Sequence, residues 1–277
     1  MSSVGGSHRA WRAACPNCGA PVEFRSAASA VAVCSFCRST VVREGEALRR
    51  IGQSAELFDD HSPLRLGAAG RAQGEAFTLI GRQQLRYAEG VWNEWHALFD
   101  NGRTAWLSED NGRYVLSFDV PLVQPAPPAA SLRVGAQQVI DGQAWFVGAL
   151  TPVTLAAAEG ELPGPPPLGA QFVVADLRNT QGEVGTLDYR EPAAPAWSVG
   201  RSVALSDLAM TGLATGSAEK TLAARGVSCP NCGAALTVTL ASTKSIACHQ
   251  CHAVVDVSQG VGAGRGPQGQ GAGGRPP

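Results

Sequence analysis

Hydrophobic and polar positions alternate through the middle of the chain, most clearly from Val91 to Phe99. The segment Trp92–Asp110 reads W-N-E-W-H-A-L-F-D-N-G-R-T-A-W-L-S-E-D and holds three of the six tryptophans. As a β-strand, Val91–Phe99 places Val91, Asn93, Trp95, Ala97 and Phe99 on one face and Trp92, Glu94, His96 and Leu98 on the other. Asp100–Gly102 interrupts the alternation, and Asn-Gly tolerates the positive φ that tight hairpin turns need. The pattern therefore predicts a β-hairpin, with Arg103–Leu107 as the return strand.

Three strand-like segments that contain or begin with glycine occur twice in the chain. The pairs are Leu64–Ala68 with Leu132–Ala136, Gly74–Leu79 with Gly142–Val147, and Gly102–Leu107 with Gly182–Leu187. Both copies alternate as strands do, and neither has helical periodicity. A unit of this size is only marginally stable alone. We therefore predict a mainly β fold with two tandem small β-barrel or SH3-like repeats, at 64–120 and 132–212, that pack on each other as a pseudo-symmetric pair.

The remaining central segments are predicted from their glycine and proline content. Pro121–Pro128, within the predicted linker 121–131, is rich in proline and so is expected to be a stiff connection between the repeats. Glu44–Leu57 is expected to be a short helix or part of a linker at 44–63. Ala156–Leu168 is an Ala/Pro/Gly-rich excursion that we predict to be a surface loop. Leu205–Gly212 is expected to be a short helix or a closing turn.

All eight cysteines fall in C-x2-C pairs. Each half of the set has the spacing C-x2-C-x15-C-x2-C, and the ligands are Cys15, Cys18, Cys34 and Cys37 in one half and Cys229, Cys232, Cys248 and Cys251 in the other. Two thiolates placed two residues apart on a tight turn can bind one ion, and this spacing is typical of a structural zinc site. We predict zinc ribbons at 15–43 and 229–258, each with one structural Zn²⁺. Residues 213–228 are the predicted linker to the second ribbon.

Composition restricts the classes of function. The formal net charge is -1 and only Lys220 and Lys244 are lysines, so bulk charge does not draw the chain to nucleic acid. No apolar run approaches the ~18–20 residues of a membrane span, and residues 1–10 lack the apolar segment of a secretory signal. Paired cysteines favour metal over disulfide in a reducing compartment, so we expect a cytoplasmic protein. Residues 1–14 and 259–277 have too few apolar residues to fold and are predicted to be disordered.

The block Gly90–Tyr114 (G-V-W-N-E-W-H-A-L-F-D-N-G-R-T-A-W-L-S-E-D-N-G-R-Y) resembles the bacterial "domain of unknown function 4178" family. The resemblance extends from about Leu64 to Met210 and includes G-E-L-P at Gly160–Pro163, Asp176-Leu177 and Gly200-Arg201. Members of this family often carry zinc ribbons beside the domain, and the family has no established activity. What the resemblance implies is association, by gene neighbourhood, with polyamine-synthesis enzymes, small membrane proteins and membrane-stress proteins of the phage-shock type.

The hairpin carries the residues that are candidates for binding. Trp92 shares one strand face with Glu94 and His96, whereas Trp95 points to the opposite face. Aromatic side chains exposed on a small β domain bind peptides or single-stranded nucleic acid. We therefore take Trp92, Glu94, Trp95 and His96 as a candidate interaction surface. A contact between the two repeats is a further option for the tryptophan that faces away from its own core.

The same face offers the best candidate for catalysis. Glu94 and His96 are joined nearby in sequence by Glu109, Asp110 and Asp119, which makes an acid–base site conceivable. A solvated sheet face is the favoured interpretation. The sequence has no Walker loop, no G-x-S-x-G and no H-E-x-x-H. We therefore predict no catalytic residues and no enzymatic activity.

Three functions follow from these features, in order of preference. The first is a non-catalytic zinc-binding scaffold that presents the duplicated β core to protein partners, with membrane-associated stress proteins as candidates. The second is nucleic-acid binding through the ribbons, because the first ribbon and its flanks carry seven arginines and three glutamates (Arg9, Arg12, Arg25, Arg38, Arg43, Arg49, Arg50; Glu23, Glu44, Glu46), a local charge of +4. The third is an enzyme acting at the Glu94/His96 face.

Overall fold

The computed structural model describes residues 10–58 and 62–214, followed by 226–228, 232, 235–237, 245–248, 250–251 and 254–256. The chain divides into two compact units, Met1–Ala214 and Thr215–Pro277. The predicted disordered tail at 259–277 and residues 1–9 lie outside the described residues. No helix in the described part of the chain has the length and apolar character needed to cross a membrane.

The described residues form strands and two short 3-10 helices, Ala129–Ser131 and Leu205–Leu208. The strands of the first unit are β1 (Trp11–Ala14), β2 (Pro21–Phe24), β3 (Val31–Val33), β4 (Ser39–Glu44), β5 (Ala47–Gln53), β6 (Ala69–Ala72), β7 (Glu75–Tyr87), β8 (Gly90–Phe99), β9 (Thr104–Asp110), β10 (Arg113–Asp119), β11 (Gln137–Ile140), β12 (Gln143–Leu162), β13 (Gln171–Arg178), β14 (Val184–Asp188) and β15 (Ala196–Val203). The second unit contains β16 (Gly226–Ser228), β17 (Ala235–Thr237), β18 (Ser245–Ala247) and β19 (Val254–Asp256). The prediction of a mainly β fold is confirmed.

One antiparallel sheet of 13 strands dominates the first unit. Its order is β5-β4-β3-β12-β13-β14-β15-β10-β9-β8-β7-β6, and β11 pairs with β12. An additional pairing joins β12 to β7. That pairing closes the eight strands β7, β8, β9, β10, β15, β14, β13 and β12 into a ring. The strands of the two predicted repeats therefore belong to one sheet, and they meet at two seams, β10–β15 and β7–β12.

Two hydrophobic cores lie on the outer face of the ring, one for each sequence repeat. The first core is built around Trp95 and Leu107, and Leu208 of the second 3-10 helix packs into it. The second core is built around the edge-to-face pair Trp145 and Trp197, whose ring centroids lie 5.1 Å apart. Each repeat thus buries its own apolar stripe, while the ring gives both repeats a second, inward face.

The turns at matching positions of the two repeats have the same geometry. Gly67 (φ +84°) donates its amide hydrogen bond to Leu79 over 2.8 Å, and Gly135 (φ +82°) donates to Val147 over 2.8 Å. Positive φ at both turns explains why glycine occupies both positions. That the two halves arose by duplication remains a prediction.

The predicted surface loop at Ala156–Leu168 is wrong in its first half. β12 runs for 20 residues and ends at Leu162, and Ala157 and Ala158 are buried in it. Small side chains fit here because β12 crosses β7 and also pairs with β3. The irregular connection begins only at Pro163.

Two further expectations for the N-terminal region are corrected. Glu44–Leu57 is neither a helix nor a linker over most of its length, since Ala47–Gln53 forms β5 and pairs with β4 around a turn at Gly45 (φ +61°). The end of the predicted disordered N-terminus is also ordered, because Trp11–Ala14 pairs with β2. Trp11 packs edge to face on a Phe24 ring 5.5 Å away.

The β7–β12 seam requires glycine. Gly81 and Gly160 are register partners there, and a Cβ added to Gly81 would overlap the carbonyl oxygen of Glu161. A backbone atom cannot rotate away as a side chain does, so relief requires the strands to separate. The ring closes at this point only because both residues lack a side chain.

Replacing Gly81 by alanine is therefore expected to lower the free energy of unfolding by about 1–3 kcal/mol, the usual cost of forcing a methyl group into a packed interior. Urea titration followed by tryptophan fluorescence measures this cost. Gly52→Ala in β5 is the matched control, because a Cβ at Gly52 would meet no atom within 4 Å. Equal effects of the two substitutions would contradict the proposed close approach at the seam.

Candidate functional sites

The N-terminal cysteines converge on one point. The Sγ atoms of Cys15 and Cys37 are 3.7 Å apart, those of Cys18 and Cys34 are also 3.7 Å apart, and all four lie within 4.8 Å of one another. A disulfide would require about 2.05 Å, so the thiols are free. Four sulfurs bound tetrahedrally at ~2.3 Å from a zinc ion would be separated by about 3.8 Å. The cluster therefore has the ligand type, number and spacing of a structural metal site.

Two equivalent turns hold these cysteines. The amide of Gly19 donates to the carbonyl of Cys15 over 2.9 Å, and the amide of Arg38 donates to that of Cys34 over 2.8 Å. Both residues have positive φ, +75° at Gly19 and +58° at Arg38. Glycine at the first turn was a usable signal in the sequence. Arginine at the second gave none, because its left-handed backbone is set by the turn and not by residue preference.

The second cysteine cluster is described in part. Cys232, Cys248 and Cys251 bring their Sγ atoms within 4.8 Å of one another, with 3.6 Å between those of Cys232 and Cys248. Cys229, the fourth predicted ligand, lies outside the described residues. The three described thiols could hold a metal ion in the same manner as the first cluster.

The first cysteine module is attached to the ring through Glu161 at the end of β12. The Glu161 carboxylate accepts hydrogen bonds from the backbone amides of Arg25 (2.7 Å) and Ser26 (3.0 Å). Pairing of β3 with β12 adds main-chain hydrogen bonds. The module is therefore part of the same sheet as the ring.

The inner face of the ring encloses a chamber with a volume of about 290 Å³. Its walls carry Glu94 from β8, Asp119 from β10 and Asp188 from β14, with Arg190 just beyond β14. Other lining residues, contributed by the strands and the loops that follow them, are Leu85, Trp106, Ser108, Ser117, Pro163, Val174, Thr186, Glu191, Ala194, Ala196 and Ser198. The chamber thus draws side chains from both repeats.

Glu94 is held by two donors inside this chamber. The Nε1 of Trp92 donates to Oε1 over 3.0 Å, and the hydroxyl of Ser108 donates to Oε2 over 3.1 Å. Burial raises the pKa of Glu94 to about 7, although Arg190 and both hydrogen bonds oppose the rise. Near neutral pH this carboxyl group is therefore divided between its acid and carboxylate forms.

Asp176 and Asp188, on the same face, are half-buried, and Asp119 has an exposed side chain that is partly desolvated. Asp188 forms an ion pair with Arg190, with 2.9 Å between Oδ2 and Nε, and Asp176 accepts a hydrogen bond from the Thr186 hydroxyl over 3.2 Å. Burial raises the pKa of Asp119, Asp176 and Asp188. Desolvated carboxylates with few counter-charges are typical of a binding site.

The four residues of the predicted interaction surface do not form an exposed patch. Trp95 is fully buried in the first core, and His96 is 2% exposed. His96 Nδ1 lies 3.0 Å from the carbonyl oxygen of Glu161, and its ring packs on Trp106. Trp92 packs against the apolar cluster formed by β7, β12 and β13. Trp92 fits the other prediction, a contact between the two repeats. Its side chain lies on the same face as Glu94, and strands of both repeats enclose that face.

Glu109 belongs to a different environment from Glu94. Its Oε2 accepts hydrogen bonds from Trp95 Nε1 (2.9 Å), Asn93 Nδ2 (3.1 Å) and the Ser62 hydroxyl (2.6 Å). Odd-numbered residues of β9 face the outer core, and even-numbered ones face the chamber. The grouping of Glu109 with Glu94 in one acid–base site is therefore wrong, whereas Asp119 does share the chamber with Glu94.

Sequence reasoning missed Asp188 and Arg190 as chamber residues. One signal was available in the sequence. When the alignment of Gly102–Leu107 with Gly182–Leu187 is extended by one residue, Asp188 in the second repeat corresponds to Ser108 in the first. Closure of the ring, which turns these positions inward, could not be seen in the pattern.

Residues 65–205 match the model of one known family, Domain of unknown function (DUF4178). The chain belongs to the DUF4178 family. No curated protein and no solved structure matches it. The matched DUF4178 region starts before β6 and ends after β15, so it contains the whole ring and most of its two cores and leaves both cysteine clusters outside.

Because the pKa of Glu94 is raised in the folded state, the stability of the protein should depend on pH. In the unfolded chain this group titrates near ~4.3, so between that value and about 7 the folded state binds the extra proton. Stability contributed by the group therefore falls as pH rises through this window. The free energy of unfolding of Glu94→Gln, measured relative to that of the parent protein, is therefore expected to rise by up to about 3 kcal/mol between pH 5 and pH 8.

Urea titrations of both proteins at several pH values measure this difference. The other acidic groups titrate in both proteins, so the difference reports on Glu94. Exposed Glu75→Gln in β7 is the control and should give no such trend. A difference between Glu94→Gln and the parent that does not change with pH would contradict the raised pKa.

Proposed function

We propose that this DUF4178 protein is a non-catalytic, zinc-dependent scaffold. The observation that carries the proposal is the convergence of Cys15, Cys18, Cys34 and Cys37, whose Sγ atoms lie within 4.8 Å of one another. Four cysteine ligands with no open position favour a structural ion over a catalytic one. Cys232, Cys248 and Cys251, together with Cys229, are proposed to hold a second Zn²⁺ in the same way.

Zinc suits these sites for reasons of chemistry. Thiolate ligands select soft and borderline metals, and a tetrahedral S₄ set is typical of zinc. The apolar core of the first module is small and includes Cys15 and Cys34 themselves beside Phe24 and Val41. A module of this size gains on the order of 10 kcal/mol from a structural zinc ion, so zinc would decide whether it folds.

We further propose that the ring consists of two duplicated SH3-like copies. Supporting this are the equal turn geometries at Gly67 and Gly135 and the separate core of each half. The two copies would join through the seams β10–β15 and β7–β12, which bury the edges that each would otherwise expose. Buried edges leave the loops and the metal module as the surfaces for partners.

The proposed partner surface is the outer turn of the first metal module. Phe36 lies between Cys34 and Cys37 and is 73% exposed. An exposed aromatic residue on a rigid metal turn is a suitable anchor for a protein partner. Protein partners in the cytoplasm, including the membrane-stress or polyamine-linked proteins that the family resemblance implies, are the class we propose.

Nucleic-acid binding receives less support from the first module. Arg12 and Arg25 form ion pairs with Glu23, and Arg49 forms one with Glu44. The local excess of arginine is thus partly neutralised within the protein. We therefore keep protein binding as the proposed function.

The zinc proposal predicts two zinc ions per chain in protein purified without chelators, measured by mass spectrometry of metals. Cys15→Ser and Cys248→Ser should each retain one ion, because each removes one ligand from a different site. Ser35→Ala, beside Cys34 and exposed, is the control and should retain two. One ion or none in the parent protein would contradict the assignment of two sites.

The scaffold proposal predicts that a zinc-loaded bait captures a protein partner from native cells and that Phe36→Ser reduces the yield about tenfold, as expected for loss of an anchor residue. Val139→Ser removes an apolar side chain that is similarly exposed, at 66%, on β11, and should leave capture unchanged. Equal capture by all three baits contradicts this surface. Recovery of nucleic acid, lost steeply with salt, would favour the alternative function.

A further inference from the structure

We propose that the chamber inside the ring binds a small organic cation that carries N–H donors, such as an alkyl ammonium or guanidinium compound. The proposal concerns the inner face of the ring and is independent of the metal modules. It rests on charge, on an unsatisfied acceptor, on the spacing of the acids and on access to solvent.

The chamber is lined by more acidic than basic side chains. Among its described lining residues, Glu94, Asp119, Asp188 and Glu191 are acidic, and Arg190 is the basic one. Arg190 shows how the chamber holds a cation, because its guanidinium pairs with Asp188 over 2.9 Å. One cation for four acids leaves the chamber acidic, and burial raises the pKa of Glu94, Asp119 and Asp188. A second cation, bound near these groups, would stabilise their ionised forms.

Gln83 carries a buried hydrogen-bond acceptor near Glu94. Gln83 is 2% exposed, and its Oε1 has no hydrogen-bond donor among the residues that the structure describes. Gln83 does not line the chamber itself, but it is the register partner of Glu94 and lies two residues before Leu85 on β7, so it is on the same face of the sheet as these two lining residues. A buried carbonyl oxygen without a donor is costly. A bound N–H group beside Glu94 would satisfy it.

The spacing of the acids distinguishes an organic cation from a metal ion. In the described part of the chain, groups of three or more ligand atoms within 4.8 Å occur only among the cysteines. The acids of the chamber are thus too far apart for three of them to bind one ion, as Ca²⁺ or Mg²⁺ would need. A ligand several atoms long, with separated donors, could reach more than one of them.

Size and access set the remaining limits. A volume of about 290 Å³ is at the lower end of the ~300–1,000 Å³ of ligand pockets. Glu191, Ala194 and Ala196 line the chamber and are also exposed, so the chamber opens to solvent beside the segment that follows β14. The ligand is therefore a compact molecule that enters at this opening.

Calorimetry on the full zinc-loaded chain tests the proposal with three five-carbon probes of matched length: 1,5-diaminopentane, 1,5-pentanediol and glutarate. We expect the diamine to bind at least about tenfold more tightly than the diol, the ratio for one additional charge-assisted hydrogen bond, and glutarate not to bind. Equal affinity for diamine and diol, or binding of glutarate, overturns the proposal.

Variants locate the site. Asp119→Asn should weaken diamine binding about tenfold or more, whereas Asp207→Asn, at an exposed position in the second 3-10 helix, should not change it. Gln83→Leu keeps the shape of the side chain and removes the acceptor, so it should weaken binding while leaving the circular dichroism spectrum unchanged. Loss of binding in Asp207→Asn equal to that in Asp119→Asn, or tighter binding of Mg²⁺ than of the diamine, overturns the assignment.

Discussion

The architecture depends on the main-chain hydrogen bonds of β12. A free strand edge exposes a row of unpaired amide and carbonyl groups, and β12 is long enough to pair along its length with β11, β13, β7 and β3. Its pairing with β7 closes the ring, and its pairing with β3 brings the first cysteine module into the same sheet. Glycine at positions 81 and 160 lets the two backbones approach closely enough for this pairing.

Closure of the ring changes the surroundings of the strand face that does not contact a core. In an open sheet, the face opposite the core is solvated, and polar residues there need no further explanation. Here that face lines a confined volume in which Glu94 and Asp188 are half-buried. The same alternation that buries Trp95 in an outer core thus sends Glu94 into an acidic interior. One period-2 pattern thus gives the outer face its two apolar cores and the inner face both acidic side chains and the apolar cluster around Leu85 and Val174.

Much of this could be predicted from the sequence, for identifiable reasons. The cysteine spacing predicted clusters that the structure assembles, because local turns are sufficient to bring C-x2-C thiols together. The hairpin around Asp100–Gly102 was equally local, and β8 and β9 form there. The inward face was not predictable, since it arises from the pairing of Gly160 with Gly81, 79 residues apart in the chain. Alanine-rich sequence at Ala156–Ala158 resembles a loop unless the neighbouring strand that it must fit is known.

Glu161 gives the molecule a property that no single module has. Its carboxylate binds the amides of Arg25 and Ser26 in the cysteine module, while its carbonyl oxygen contacts His96, which packs on Trp106 of the chamber wall. One residue therefore connects the first cysteine module to the wall of the chamber through its carboxylate and its carbonyl oxygen. If metal binding and occupation of the chamber are coupled through these contacts, thermodynamic linkage requires that the coupling free energy be the same in both directions.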